Sequence, residues 1–365
     1  MLLTFTTGNY CCFKEPQSLS LLADGRHLPH DVRVVQARGC RALRVVGVFG
    51  DTATGKSHLG KALRFMQRAV LEGWQDAALH CPPFWAEGHA AQAPSFFEVL
   101  LVHNDVRYRY GFTLQEQQVA AEWLYERKGR RELRLFSRRG QALLVHASFT
   151  EGRRLIGITP PDLLLLTIAA RLRFALVAPV VTFFRGFHFT DAAAPYPFDA
   201  AWEAKVAIPA PVMSLRRLYN ELGMEYTVGA MQSLVQARAA ARRGEGSPPV
   251  TAITGICQDA RQELITAGTR SLLAITPSIL KVLNEGGTLF LDDLDAHLSF
   301  AVLQGLLGIF QHPELNPLNA QLVFTTHLPD WLRQGKWLNG QRYMLEKPHA
   351  AASLHYWSMQ ARERV

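Results

Sequence analysis

Gly50-Asp51-Thr52-Ala53-Thr54-Gly55-Lys56-Ser57 is a complete G-x-x-x-x-G-K-S loop between an apolar strand-like run, Arg44 to Phe49, and a helical pattern, Leu59 to Ala69. Glycines at both ends let backbone N–H groups turn toward bound phosphates, and the helix N-terminus that follows favours anions. Lys56 reaches the terminal phosphates, and Ser57 can hold Mg²⁺. Strand, cradle and helix in that order predict an α/β nucleotide-binding fold. All eight loop residues, Gly50, Asp51, Thr52, Ala53, Thr54, Gly55, Lys56 and Ser57, become candidate contacts for ATP.

Two later strands complete such a site. Thr288-Leu289-Phe290-Leu291-Asp292-Asp293 is an apolar run ending in two carboxylates, and Gln321-Leu322-Val323-Phe324-Thr325-Thr326-His327 is another ending in hydroxyls and a histidine. The carboxyl ends of strands in an open α/β sheet face the ligand crevice, so these groups are expected to converge on Lys56. Asp292 is expected in the Mg²⁺ shell. Asp293 would orient or deprotonate the attacking water, and His327 would contact the terminal phosphate. Roughly 240 residues separate Lys56 from Asp292, so a large region must be inserted between them. Directly before the acidic strand lies Thr266-Ala267-Gly268-Thr269-Arg270-Ser271-Leu272-Leu273, a small-residue helix entry.

These residues resemble the small prokaryotic ABC-type ATPases related to RecF, SMC and OLD proteins, many of them known only as AAA-family ATP-binding proteins. The resemblance runs nearly end to end. Gly8-Asn9-Tyr10 with Phe13-Lys14-Glu15 is similar to the segment that precedes the phosphate loop in that family. Thr266, Gly268, Thr269, Leu272 and Leu273 are similar to its "S-x-G-T-x-x-L-L" signature, Asp292 to Asp295 to its "D-E-L-D", and Thr325 to His327 to its "T-T-H". The resemblance implies a P-loop fold of ABC-ATPase type, a mixed sheet flanked by helices with an inserted antiparallel β arm and a helical lobe. It also implies that Thr266, Gly268 and Thr269 cap the nucleotide of a neighbouring subunit, so that the active unit is a dimer or higher oligomer. Asp293 stands where the family usually has glutamate. A carboxylate shorter by one methylene draws the base back about 1 Å, a displacement that can cost on the order of 10²-fold in rate.

Organisation follows from where the motifs lie. Residues 1–80 and 250–365 are expected to form the nucleotide-binding body, with the N-terminal and catalytic strands in one sheet. Residues 90–158, which alternate in strand fashion, should form the β arm, and 160–245 the helical lobe. No sustained heptad is present, which excludes a long coiled-coil arm. The chain has 365 residues and is 48% hydrophobic. It begins without a basic, apolar export signal, and its most apolar stretch, Leu163 to Phe184, is interrupted by Arg171 and Arg173. A cytoplasmic location is therefore expected. The five cysteines, Cys11, Cys12, Cys40, Cys81 and Cys257, show no metal-binding spacing and suit a reducing compartment.

The net charge of +8 is clustered. Arg127, Lys128, Arg130, Arg131, Arg134, Arg138 and Arg139 load the β arm beside Tyr108, Tyr110, Trp123 and Tyr125, while Arg238, Arg242 and Arg243 lie farther on. Such a surface suits phosphate backbones and bases, or simply a solvated or protein-contacting face. Two functional readings follow. One is a nucleotide-driven switch or scaffold, slow in turnover, controlling a partner effector such as a nuclease or toxin encoded nearby in anti-phage defence. The other is a RecF- or SMC-like DNA-binding ATPase of repair or maintenance.

Overall fold

The computed structural model describes residues 1–23, 31–37, 39–73, 81–84, 93–192, 212–224, 267–295, 298–327, 337–338, 340–347 and 350–356. Two large sheets carry it, beside a small antiparallel pair of β3 (Val34–Ala37) and β4 (Cys40–Leu43). The central one has the order β11 (Phe187–Asp191), β12 (Thr288–Asp292), β13 (Gln321–Thr326), β5 (Val45–Phe49), β14 (Arg342–Glu346) and β15 (Ser353–Tyr356). The first five strands are parallel and β15 is antiparallel, so the sheet is mixed. Its middle strands read as continuous apolar runs because helices cover both faces. Val46, Val48, Phe290 and Val323 point into one core, and Val45, Phe49, Leu289, Leu291, Leu322 and Phe324 into the other.

The first core holds α1 (Lys56–Leu71), α2 (Leu165–Arg171) and α3 (Ala178–Arg185), with α3 against α1. The second is closed by α4 (Leu215–Glu221), α5 (Ala267–Glu285) and α6 (Phe300–Gln311). The apolar stretch 163–184 is thus two short helices bent by 117° and packed inward. Among the described residues no single helix is long and apolar enough to cross a membrane.

The second sheet is antiparallel, ordered β10 (Ala142–Val145), β9 (Leu133–Arg139), β8 (Gln118–Arg127), β7 (Val106–Gln115), β6 (Ser95–His103), β1 (Leu2–Gly8) and β2 (Gln17–Ser20). The expected β arm is present, but β1 and β2 extend it instead of joining the catalytic strands. The half-buried alternation of β1 matches β6, its antiparallel partner, whereas every central place in the parallel sheet needs a strand buried on both faces. Gln321 joins the two sheets: its side chain accepts from Leu2 N (2.6 Å) and donates to Leu2 O (3.0 Å) and Leu43 O (3.1 Å).

The stretch 160–245, expected to form the helical lobe, also contributes a strand, since Phe187–Asp191 adds β11 to the central sheet beside β12. Its five residues follow α3 after one glycine, too short a run to separate from the flanking apolar helix by periodicity. Most of the rest of that stretch, and Arg238, Arg242, Arg243 and Cys257 with it, lies outside the described residues.

Candidate nucleotide site

The loop after β5 adopts the backbone its glycines allow. Gly55 has φ 112° and Ala53 φ 64°, the left-handed region, and Thr54 closes the turn by donating Oγ1–H to Asp51 O (2.9 Å). A Cβ on Gly55 would meet Cys12 Sγ at 2.5 Å, and one on Gly50 would meet Leu345 O at 2.5 Å. The loop is therefore pressed between the Cys12 turn and β14. Helix α1 begins at Lys56, with His58 N and Leu59 N both donating to Gly55 O.

Lys56 is only 4% exposed. Its ammonium uses all three donors: to Gly50 O (2.7 Å), Asp51 O (2.8 Å) and His327 Nδ1 (2.9 Å). An ammonium only donates, so Nδ1 must be an acceptor and the imidazole proton sits on Nε2. That nitrogen faces Asp293 Oδ1 at 3.1 Å. Lys56, His327 and Asp293 thus form one polar chain, a hydrogen bond followed by an ion-pair contact, across three motifs that lie far apart in sequence. Burial lowers the Lys56 pKa, opposed by the charges of Asp293, Asp295, Asp292 and Asp51. Burial raises that of Asp293, with the Asp292 charge adding to it.

Strand order explains the convergence. β13 lies between β12 and β5, and Thr326 is in register with Phe49, so His327 emerges between the phosphate loop and the carboxylates. Thr325 fixes the acidic pair: its hydroxyl donates to Asp292 Oδ1 (2.5 Å) and accepts from Asp293 N (2.9 Å). Asp293 has φ 48°. Asp and Asn tolerate this left-handed conformation better than longer side chains do, which gives a local reason for aspartate here. Asp295 accepts from His327 N (3.2 Å) and so helps to hold the histidine.

The structure also brings in a residue that the sequence did not single out. Asp191 ends β11 in register with Asp292 and adds to the negative potential at Asp293. Its signal, a carboxylate at the end of a five-residue strand of mixed polarity, Phe187 to Asp191, becomes visible only when β11 is recognised as a neighbour of β12. Of the proposed signature, Gly268 lies in the first turn of α5, the helix packed on β11 and β12. Thr266 lies outside the described residues, as does the side chain of Thr269.

The donor set fits Mg²⁺ carried by a nucleotide. Ser57 and Asp292 offer hard oxygen ligands, while among the described residues no cluster of three or more His, Cys, Asp or Glu is arranged to hold a metal by itself. Mg²⁺ bound through one carboxylate and substrate phosphates has that requirement.

A family model described as "AAA domain, putative AbiEii toxin, Type IV TA system" matches residues 45–163 and 260–330, just over half of the chain. The chain belongs to this AAA domain family. The matched residues contain the phosphate loop, the signature segment, Asp292, Asp293 and His327, so this is an AAA-type ATPase domain with P-loop architecture. No curated protein matches the sequence. Among solved structures, the chain is similar to an SmcHead bound to the C-winged helix domain of ScpA, at 10% identity and a TM-score of 0.42, covering 100% of this chain and 99% of that one.

Proposed function

We propose that this AAA domain protein binds ATP with Mg²⁺ at Gly50 to Ser57 and hydrolyses it slowly, as a cytoplasmic, nucleotide-driven switch that controls a partner effector. The observation that carries the reading is the Lys56–His327–Asp293 chain. Lys56 holds its ammonium with protein acceptors, and phosphate oxygens at the loop would compete for the same three donors. Drawing Lys56 away leaves His327 Nδ1 without its donor and changes the contact that His327 makes with Asp293. Occupancy of the loop is thereby reported to β12 and β13.

Ser57 and Asp292 would hold the metal, which when bound neutralises phosphate charge and orients the nucleotide. Asp293 would accept a proton from the attacking water, and its raised pKa favours that transfer. Asp295 positions His327. Thr266, Gly268 and Thr269 would complete the site of a second subunit, so the working unit is a dimer or larger. The family description names a toxin system, which supports a nuclease or toxin as the effector. Action on DNA in repair or maintenance is the alternative, and the basic clusters favour it.

The test is association and single-turnover hydrolysis in Asp293→Asn. Asparagine suits φ 48°, so the variant should fold, bind ATP, hydrolyse about 10²- to 10⁴-fold more slowly and stay associated with its partner copy or effector. Hydrolysis at the wild-type rate would remove Asp293 from the mechanism, and ATP-independent association would remove the switch.

A further inference from the structure

The outer face of the antiparallel sheet carries an aromatic platform. Side chains alternate along β7 and β8, so Tyr108, Tyr110 and Leu124 are buried while Arg109, Trp123 and Tyr125 face outward and are half-exposed. Tyr108 and Tyr110, expected to help bind bases, are therefore spent in the core. Arg138 is likewise 2% exposed, its guanidinium donating to Leu163 O and Pro160 O (2.7 Å each).

What remains outside is ordered. Cross-strand register sets Trp123 opposite Gly111, and a Cβ on Gly111 would lie 2.5 Å from the indole ring. The missing side chain lets the indole lie across the sheet. Trp123 Nε1 donates to Glu98 (2.8 Å), and its ring centroid is 5.8 Å from that of Phe96. Arg109 lies 4.1 Å over the Tyr125 ring and is fixed by Glu132 (2.6 Å) and Glu98 (3.3 Å). Three rings and a stacked guanidinium thus occupy one face of the sheet.

Charge surrounds this platform. Arg127, Lys128, Arg130, Arg131, Arg134 and Arg139 are all exposed. Arg130, Arg131, Arg134 and Arg139 make no ion pair among the described residues. The β8–β9 hairpin also forms an open concavity of about 460 Å³ lined by Glu126, Lys128, Gly129, Arg130, Arg131 and Leu133. An apolar protein partner would not need unneutralised guanidinia, and a duplex keeps its bases stacked away from protein rings. Unpaired bases and a phosphodiester backbone match both features.

We infer that this face binds single-stranded nucleic acid, with bases stacking on Trp123, Phe96 and the Arg109–Tyr125 pair and the backbone following Arg130, Arg131, Arg134 and Arg139. The surface is separate from the nucleotide site, so binding should not need ATP.

The experiment is fluorescence anisotropy of the full chain, without ATP, against labelled 20-nucleotide oligo(dT), oligo(U) and a 20-base-pair duplex over a salt series. The single strands should bind more tightly than the duplex, and comparing oligo(dT) with oligo(U) identifies which chemistry is preferred. Trp123→Ala should weaken binding roughly 5- to 150-fold with an unchanged salt slope, and Trp123→Phe should retain it. Arg130→Glu with Arg131→Glu, at exposed positions without ion pairs among the described residues, should weaken binding and flatten the slope by about 1.4. Absence of single-strand binding, equal or tighter duplex binding, or wild-type affinity in Trp123→Ala would each overturn the inference.

Discussion

Gly55→Ala is the sharpest probe of the phosphate cradle, because two separate costs can be worked out from the geometry. At φ 112° a side chain sits in backbone space that L-residues rarely occupy, a cost of about 1–3 kcal/mol. The new Cβ would also lie 2.5 Å from Cys12 Sγ, and Cys12 is 1% exposed, so overpacking adds about 1–3 kcal/mol. The loss of about 2–6 kcal/mol is a large part of a typical domain's stability. Urea unfolding should measure it. Nucleotide affinity should fall as well, since Lys56 is the next residue and moves with the loop. Removing the thiol in Gly55→Ala/Cys12→Ala should recover the packing share and leave the backbone share, giving a coupling of about 1–3 kcal/mol in a double-mutant cycle. A single variant within 0.5 kcal/mol of wild type, or a cycle without coupling, would refute this packing of the loop.

Asp293→Glu should raise the single-turnover rate by restoring reach, while lowering Tm because glutamate is less at ease at φ 48°. An unchanged rate with intact binding would show that reach does not limit turnover. Glu122 makes a pH-dependent prediction. It is fully buried, accepting from Leu165 N (2.7 Å), Leu166 N (3.0 Å) and Tyr110 Oη (3.1 Å), and burial raises its pKa from 4.5 to about 7. Its folded pKa exceeds the unfolded one, so its contribution is complete below pH 4.5 and is lost as pH rises through 7. Relative to Glu122→Gln, the wild type should lose about 3 kcal/mol across that window in urea titrations. A constant difference between the two proteins would contradict the raised pKa.

The convergence of Lys56, His327 and Asp293 was legible because each of the motifs that carry them is a local pattern. Gly50 to Ser57 needs no tertiary context, and Asp292, Asp293 and His327 each terminate a strand buried on both faces, so the parallel sheet brings them to one edge. Asp191 was not legible, since its importance arises from β11 lying beside β12, a pairing made between residues about 100 apart. The place of β1 was misread for a related reason. Its apolar character fits either sheet, and only its half-buried alternation opposite β6 decides between them. On the β arm, composition indicated an aromatic and basic surface, but the two-residue period of the strands sends Tyr108 and Tyr110 inward and Trp123 and Tyr125 outward. Arg138 shows the limit of counting charges: its carbonyl partners come from a segment 22 to 25 residues away.

The central claim is that Lys56 supplies the charge that holds ATP at this loop. Calorimetric titration of ATP with Mg²⁺ into the wild type and Lys56→Ala tests it most directly. Binding with one site per chain in the wild type and none detectable in the variant, with the variant still folded by circular dichroism, is the predicted result. Undiminished ATP affinity in folded Lys56→Ala would contradict the account.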